Sequence, residues 1–330
     1  MTAERLDRFM ARANAIYYAS HDPFADFTTA PEVSQVFGEL LGLWAAIAWD
    51  RIGRPDPVLL VEAGPGRGTL MADALRAVAR ARPDFTAAAH VHLIETSSRL
   101  RAAQAQRLPA RTAWHHTLAE VPDGPMILLA NEFLDALPIR QFVRRGAGWT
   151  ERHVGEGAWV EEPVDPPALP PYPAMAEGRV VEVNEPARAF VSSAAARLRR
   201  FGGLALFIDY GAVADEPRDT LQAIADGQMV HPLSAAGSAD LTAHVDFADV
   251  ARTAEAAGAS AQGPVTQRHF LLRLGAQERT ERLAASAPPA QAQALREGLA
   301  RLTEPAQMGT LFKVLALTAP HGPVPPGFED

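Results

Sequence analysis

Along the first half of the chain, short uninterrupted apolar runs take turns with longer stretches in which apolar residues return every three or four positions. This is the pattern of buried strands alternating with amphipathic helices. It predicts a strand over 58–63, a helix over 69–81, a strand over 91–95, a helix from about Ser97 to Gln106, a short strand near 112–116 and a strand over Met126-Ile127-Leu128-Leu129-Ala130. Ahead of these lie a short N-terminal helix, an aromatic and polar loop from Tyr17 through Phe27, and a second helix. That helix opens on Thr29-Ala30-Pro31-Glu32, which has the T-x-x-E spacing of a capping box. Val33, Val36, Phe37, Leu40, Trp44 and Ile47 form its apolar stripe.

The rhythm changes after Pro138. Residues 139–143 and 151–160 alternate like the strands of an antiparallel hairpin, and the prolines over 163–173 read as a surface excursion. An extended piece over 180–183, a helix over 186–200 and a buried strand over 204–211 resume the earlier alternation. Residues 212–245 are polar with little periodicity and read as a lid or substrate loop. A helix near 246–257, helices between 267 and 303 and a last apolar strand over 311–317 follow. Strand and helix in alternation specify an α/β fold, a parallel sheet covered on both faces, whose ligands bind at the carboxyl ends of the strands. The expected organisation is a helical cap over 1–50, a first half of the core over 51–138, an inserted hairpin and proline-rich excursion over 139–180, resumed core over 181–211, a lid region over 212–258, and C-terminal helices with a closing strand over 259–330.

With 330 residues and 48% hydrophobic side chains, the chain can bury one large core or two modest ones. Its formal charge of −8 argues against nucleic acid as a partner. The one basic run, Arg197, Arg199 and Arg200, falls at a helix end, where cations complement the dipole. The absence of cysteine removes disulfides, thiolate metal ligands and thiol catalysis, and fits a reducing compartment. No apolar run approaches the roughly 20 residues of a membrane span, and no secretory signal is apparent, so a soluble cytoplasmic protein without membrane insertion is expected. Its richness in Ala, Arg and Pro fits a bacterial genome of high GC content. No metal site is expected: His115 and His116 follow the short third strand, His231 and His244 fall in the 212–245 loop, and no H-x-x-x-H pair occurs.

The junction Glu62-Ala63-Gly64-Pro65-Gly66-Arg67-Gly68-Thr69 carries the most chemistry, because a buried strand runs through a glycine turn directly into a helix. Glycines at 64, 66 and 68 permit dihedrals that other residues avoid and keep β-carbons off a ligand, while N–H groups of the helix's first turn point at an anion. The spacing is G-x-G-x-G. It differs from the G-x-G-x-x-G of dinucleotide binders and lacks the Gly-Lys-Ser/Thr ending of a phosphate loop. Glu95, at the tip of the second strand, is placed to accept both hydroxyls of a nucleoside ribose. A plain structural turn and a solvated strand-end acid are the alternatives. Asn131 to Asp135 and Asp209 to Gly211 end two further strands, so residues from four strand ends are expected to converge on one crevice.

Three blocks, Asp26-Phe27-Thr28-Thr29-Ala30-Pro31-Glu32-Val33-Ser34-Gln35-Val36-Phe37-Gly38-Glu39, Glu62 to Thr69, and Asn131-Glu132-Phe133-Leu134-Asp135-Ala136-Leu137-Pro138, give the chain a resemblance to the MidA family of class I S-adenosylmethionine-dependent methyltransferases. Blocks at 208–211, 219–223, 240–247 and 309–314 agree, and the resemblance spans about residues 10 to 318. The loop before Asp26 departs from the family pattern in being shorter and less glycine-rich. The resemblance implies a Rossmann-like, seven-stranded, mostly parallel sheet with an N-terminal helical cap and inserted hairpin and lid segments. It also implies S-adenosyl-L-methionine as cofactor and S-adenosyl-L-homocysteine as product. On that reading Gly64, Gly66, Gly68 and Thr69 lie against the methionine portion, Glu62 reaches its ammonium directly or through water, Glu95 takes the ribose and Asn131 bridges to the cofactor.

The family's mitochondrial members are similar to protein-arginine methyltransferases that symmetrically dimethylate an arginine on a respiratory complex I subunit during assembly, so the resemblance implies an arginine-bearing protein as partner. A guanidinium is always protonated, and carboxylates must orient one nitrogen. Glu132 and Asp135 are the catalytic candidates, with a turn cap as the other reading of Asp135. Thr28, Thr29 and Glu32 are candidates for covering the cofactor or substrate, although the capping box alone accounts for Thr29 and Glu32. Two other functions stay open, a noncatalytic cofactor-binding assembly chaperone and an NAD-dependent oxidoreductase. The third glycine, one position early, opposes the latter.

Overall fold

The structure, a computed structural model, describes residues 3–20, 28–172, 175–213, 217–234 and 236–329. The chain divides into two compact units. The core unit takes Thr28–Phe133, Val191–Gly211 and Ala251–Asp330; the second unit takes Met1–Phe27, Leu134–Phe190 and Ala212–Val250.

The core unit is built on seven strands, β1 (Val58–Ala63), β2 (Ala89–Ile94), β3 (Ala113–His115), β4 (Met126–Asn131), β5 (Gly203–Ala212), β6 (Ser260–Thr266) and β7 (Phe312–Thr318). They lie in the order β3-β2-β1-β4-β5-β7-β6. Neighbours from β3 to β5 pair parallel, and β7 runs antiparallel to both of its neighbours. Central β1 and β4 are buried at every position, as parallel strands covered on both faces must be, which is why they read as continuous apolar runs. Val36, Phe37, Leu40, Leu41 and Trp44 of helix Gln35–Arg51 pack into the same core as Leu60, Leu129 and Leu206. Ile47, the last member of the expected stripe, is instead 41% exposed.

Three further expectations change here. Thr29 caps only a short helical turn, Ala30–Val33, and its hydroxyl makes no capping bond. Extended backbone at Ser34 breaks the helix, which restarts at Gln35 with Ser34 Oγ accepting from Val36 N at 3.3 Å. The N-terminal helix runs Leu6–Ser20 and so takes in Tyr17 and Tyr18, with Tyr17 fully buried. Residues 21–27 of the loop expected there, including Asp26 and Phe27, lie outside the described residues. Strand β6 has no counterpart among the expected elements, because Gly263-Pro264 interrupts it and its register with β7 shifts between Gln262 and Val265.

In the second unit, Gly148–Gly155 pairs antiparallel with Arg140–Arg145 and Glu4–Arg5 and also with Ala158–Val164, while Arg140–Arg145 pairs with Val180–Val183. The strand expected over 151–160 is thus two strands. Glu156 and Gly157, at φ of +51° and +77°, form the two-residue turn that right-handed strand twist favours. The segment 212–245 is more regular than expected, with Gln222–Ala225 between Gln228–Val230 and Asp240–Thr242. Ala223, Leu233, Ala239, Leu241 and Ala243 share a core with Leu6, Phe9, Met10, Ala13 and Ile139. Residues 1–50, expected as one cap, divide between the units. Among the described residues no helix is long and apolar enough to cross a membrane.

Candidate functional site

Backbone bonds tie together five parallel strands of the core unit at their carboxyl ends. Gly64 N donates to Ile94 O at 3.1 Å, Glu95 N to His115 O at 3.0 Å and Glu132 N to Ile208 O at 2.9 Å. Beyond β1 the chain turns through Gly64, Gly66 and Gly68 at φ of +65°, +52° and +77°, all left-handed. Gly68 N closes the turn on Pro65 O at 2.7 Å, and Gly68 leads into helix Thr69–Ala81. A β-carbon at Gly64 would stand 2.9 Å from Phe133 Cδ2, so sterics and dihedral both require glycine there.

Glu62, inside β1, is 3% exposed, and its Oε2 has no hydrogen-bond partner among the described residues. Burial alone pushes its carboxyl up to about 8. On the neighbouring strand, two residues beyond Glu62's partner Leu129 and at the end of β4, Asn131 Nδ2 donates to Glu132 Oε1 at 3.1 Å, while its buried Oδ1 accepts nothing among the described residues. Two acceptors buried without donors are costly in a finished core and are suited to a ligand that brings donors.

Glu95, just past β2, is buried and accepts from Ser97 N at 2.7 Å and from Gln104 Nε2 at 3.3 Å. Burial outweighs these bonds and raises its carboxyl. Gln104 was not among the expected site residues. Its amide also donates to Gly66 O at 2.7 Å and accepts from Trp114 Nε1 at 2.8 Å. A signal was present: Leu100, Gln104 and Leu108 share one helix face at four-residue spacing, and a glutamine between two apolar neighbours on an inward face needs polar partners.

Glu132 is a non-glycine residue at φ +49°, a conformation that persists only where its surroundings enforce it and that gathers at functional sites. Its Oε1 accepts from Ala30 N at 3.0 Å, and burial pushes the carboxyl up to about 7. Asp209 Oδ2, within β5, accepts from the N–H of Phe133, the residue after Glu132, at 3.2 Å. Glu32 does not close a capping box, since its Oε1 accepts from Thr69 Oγ1 at 2.6 Å and Thr69 Oγ1 accepts from Arg107 Nη1 at 2.7 Å. Thr28 is exposed and Thr29 half-buried.

The core unit therefore brings together Glu62, the three glycines, Thr69, Glu95, Asn131, Glu132 and Glu32. Asp135 belongs to the second unit, the boundary falling between Phe133 and Leu134. In the second unit Asp135 is buried, its carbonyl accepts from Ala243 N at 3.0 Å, and its charge acts on Tyr18, whose hydroxyl donates to Asp240 Oδ1 at 2.7 Å. His115 lies within β3, its ring stacked on His92. Among the described residues no group of three or more His, Asp or Glu is placed to hold a metal ion.

The strand order with its one reversed strand, the glycine turn after β1 and the acid after β2 define the class I methyltransferase fold. The chain belongs to the family described as "Putative S-adenosyl-L-methionine-dependent methyltransferase", whose model matches residues 40–265. It is 37% identical over 96% of its length to a mitochondrial "Protein arginine methyltransferase NDUFAF7 homolog" of Drosophila melanogaster, covering 80% of that protein. With the Homo sapiens mitochondrial protein arginine methyltransferase NDUFAF7 it shares 33% identity over 97% of this chain and 80% of the relative. A crystal structure from Burkholderia thailandensis, bound to S-adenosyl-homocysteine, superimposes with a TM-score of 0.77 at 27% identity, covering 99% of this chain and 89% of the other. The family's cofactor fits the chemistry of these groups: its ammonium would supply the donors that Glu62 Oε2 and Asn131 Oδ1 lack among the described residues.

Proposed function

We propose that this chain methylates an arginine side chain of a protein substrate, using S-adenosyl-L-methionine. The observation that carries the cofactor half is the partnerless buried oxygen of Glu62 beside the glycine turn. The acceptor half rests on the curated relatives, which are named as protein arginine methyltransferases. Bound S-adenosyl-L-methionine supplies a methyl group on a positively charged sulfur, open to in-line displacement by a nitrogen. Glu62 and Asn131 accept from its ammonium, Gly64 and Gly66 present bare backbone to its methionine portion, Thr69 N–H faces its carboxylate and Glu95 accepts from its ribose. Thr28, Thr29 and Glu32 cover the site, and the bond from Thr69 to Glu32 ties turn 30–33 to the helix after the glycines. Glu132 holds the acceptor guanidinium with one nitrogen presented to the methyl group, and Asp135 is the second carboxylate assigned to the acceptor; symmetric dimethylation is the outcome the family resemblance implies.

The Glu62 assignment has a proton count. Its folded-state value, about 8, lies above the ordinary 4.5, so the stability it contributes is full below pH 4.5 and is lost as pH rises through 8. An ammonium beside it favours the charged form and reverses that loss. Cofactor binding at pH 7 is therefore expected to release most of one proton from Glu62. Calorimetry in buffers of different ionisation enthalpy reads this number. Glu62→Gln is expected to bring it near zero; release unchanged in a folded Glu62→Gln variant contradicts the assignment.

Glu95→Ala is expected to weaken S-adenosyl-L-homocysteine by about 1 to 3 kcal/mol, the range for leaving hydrogen-bonding groups without partners. If an analogue lacking ribose hydroxyls is disfavoured equally by wild type and variant, Glu95 is not the ribose ligand.

A further inference from the structure

We propose that Gln104 is a positioning residue that sets the orientation of the ribose-binding carboxylate, and that Trp114 sets Gln104 in turn; the assignment rests on the cofactor reading above. An indole N–H can only donate, so the Gln104 atom facing Trp114 Nε1 at 2.8 Å is the amide oxygen. The amide nitrogen is thereby directed at two pure acceptors, Gly66 O at 2.7 Å and Glu95 Oε2 at 3.3 Å. Gln104 is fully buried, so no water competes for these bonds. Packing also places it under the turn, because a β-carbon at Gly68 would stand 3.3 Å from Gln104 Cγ.

Glu95 is held from both sides, Oε1 by Ser97 N at 2.7 Å and Oε2 by Gln104. The Thr96 backbone N–H also bonds this carboxylate, so of its about four acceptor positions roughly one stays free for a ribose hydroxyl, and these bonds set its direction. One amide nitrogen thus fixes both the carbonyl at the middle of the glycine turn and the plane of the carboxylate. If the amide turns over, its oxygen faces both acceptors, and Glu95 loses one of the bonds that aim its carboxylate. Gln104 and Trp114 therefore set the preference for a ribose diol over a deoxyribose without touching the ligand.

The test is calorimetric titration of the full chain with S-adenosyl-L-homocysteine and with its 2′-deoxy analogue. Gln104→Leu is expected to reduce the diol preference about tenfold, and Trp114→Phe, which frees the amide to turn over, about threefold, a loss on the scale of one hydrogen bond. Gln104→Glu is expected to reduce it most, since a second carboxylate would then face Glu95. A purely structural role would weaken both ligands alike and leave their ratio unchanged. Trp114 is only half-buried, so Trp114→Phe decides the matter if Gln104→Leu fails to fold. A wild-type chain that binds neither ligand overturns the cofactor reading and this assignment with it. Wild-type binding with an unchanged ratio in the folded variants overturns this assignment alone.

Discussion

Gly66→Val is expected to abolish measurable S-adenosyl-L-methionine binding while the protein still unfolds cooperatively. At φ +52° a β-branched residue is strained, and relief requires the turn to move. The Gly66 carbonyl is held by Gln104, which also holds Glu95, so movement at the turn disturbs the ribose side as well. Strain of about 1 to 3 kcal/mol combined with a side chain in the ligand's space should lower affinity by at least about two orders of magnitude. The variant keeps the strands and helices of the core, so its melting temperature should fall by only a few degrees, roughly 2 to 6 °C. Unchanged affinity in a folded variant would remove the glycine turn from the site.

Glu132→Gln and Asp135→Asn are expected to keep cofactor affinity and lose turnover, with kcat down by about a hundredfold or more, the scale on which misplaced reacting groups cost rate. Glutamine at 132 can still accept from Ala30 N, the bond Glu132 Oε1 makes at 3.0 Å, so the substitution removes charge rather than the cap. The carboxyl of Glu132, pushed up to about 7, ionises fully when a guanidinium arrives, and kcat/KM for the acceptor in the wild type should accordingly rise with pH through that value. The two variants need not behave alike, because Glu132 and Asp135 belong to different units. A variant that melts early, or one that transfers methyl groups at the wild-type rate, returns its residue to a structural role.

The contrast between these residues and Gln104 marks what the sequence makes legible. Strands β1 and β4 read correctly because a strand buried on both faces must be apolar throughout, and the helix over 69–81 because the turn before it needs three glycines. The carboxylate of Glu95 could be placed from its position after β2 alone. What stays hidden depends on contacts between distant residues. Gln104, Trp114 and Gly66 meet only after β2, β3 and the intervening helix have packed. Thr29 and Glu32 have the spacing of a capping box, yet Glu32 bonds Thr69 across the fold, a competitor that local spacing cannot reveal. The strands over 222–242 are three or four residues long, too short for their alternation to emerge from a polar background.

The central claim, that this chain carries methyl groups from S-adenosyl-L-methionine to protein arginine, is tested most directly by radiolabelled transfer. The purified chain and labelled cofactor would be added to the proteins of a strain lacking the gene, and the labelled product identified by mass spectrometry. The account predicts label on dimethylated arginine of a discrete protein, absent when Glu132→Gln replaces the wild type. Label found only on lysine or on a small molecule would contradict the arginine reading, and a chain that binds the cofactor but transfers nothing would contradict the enzyme.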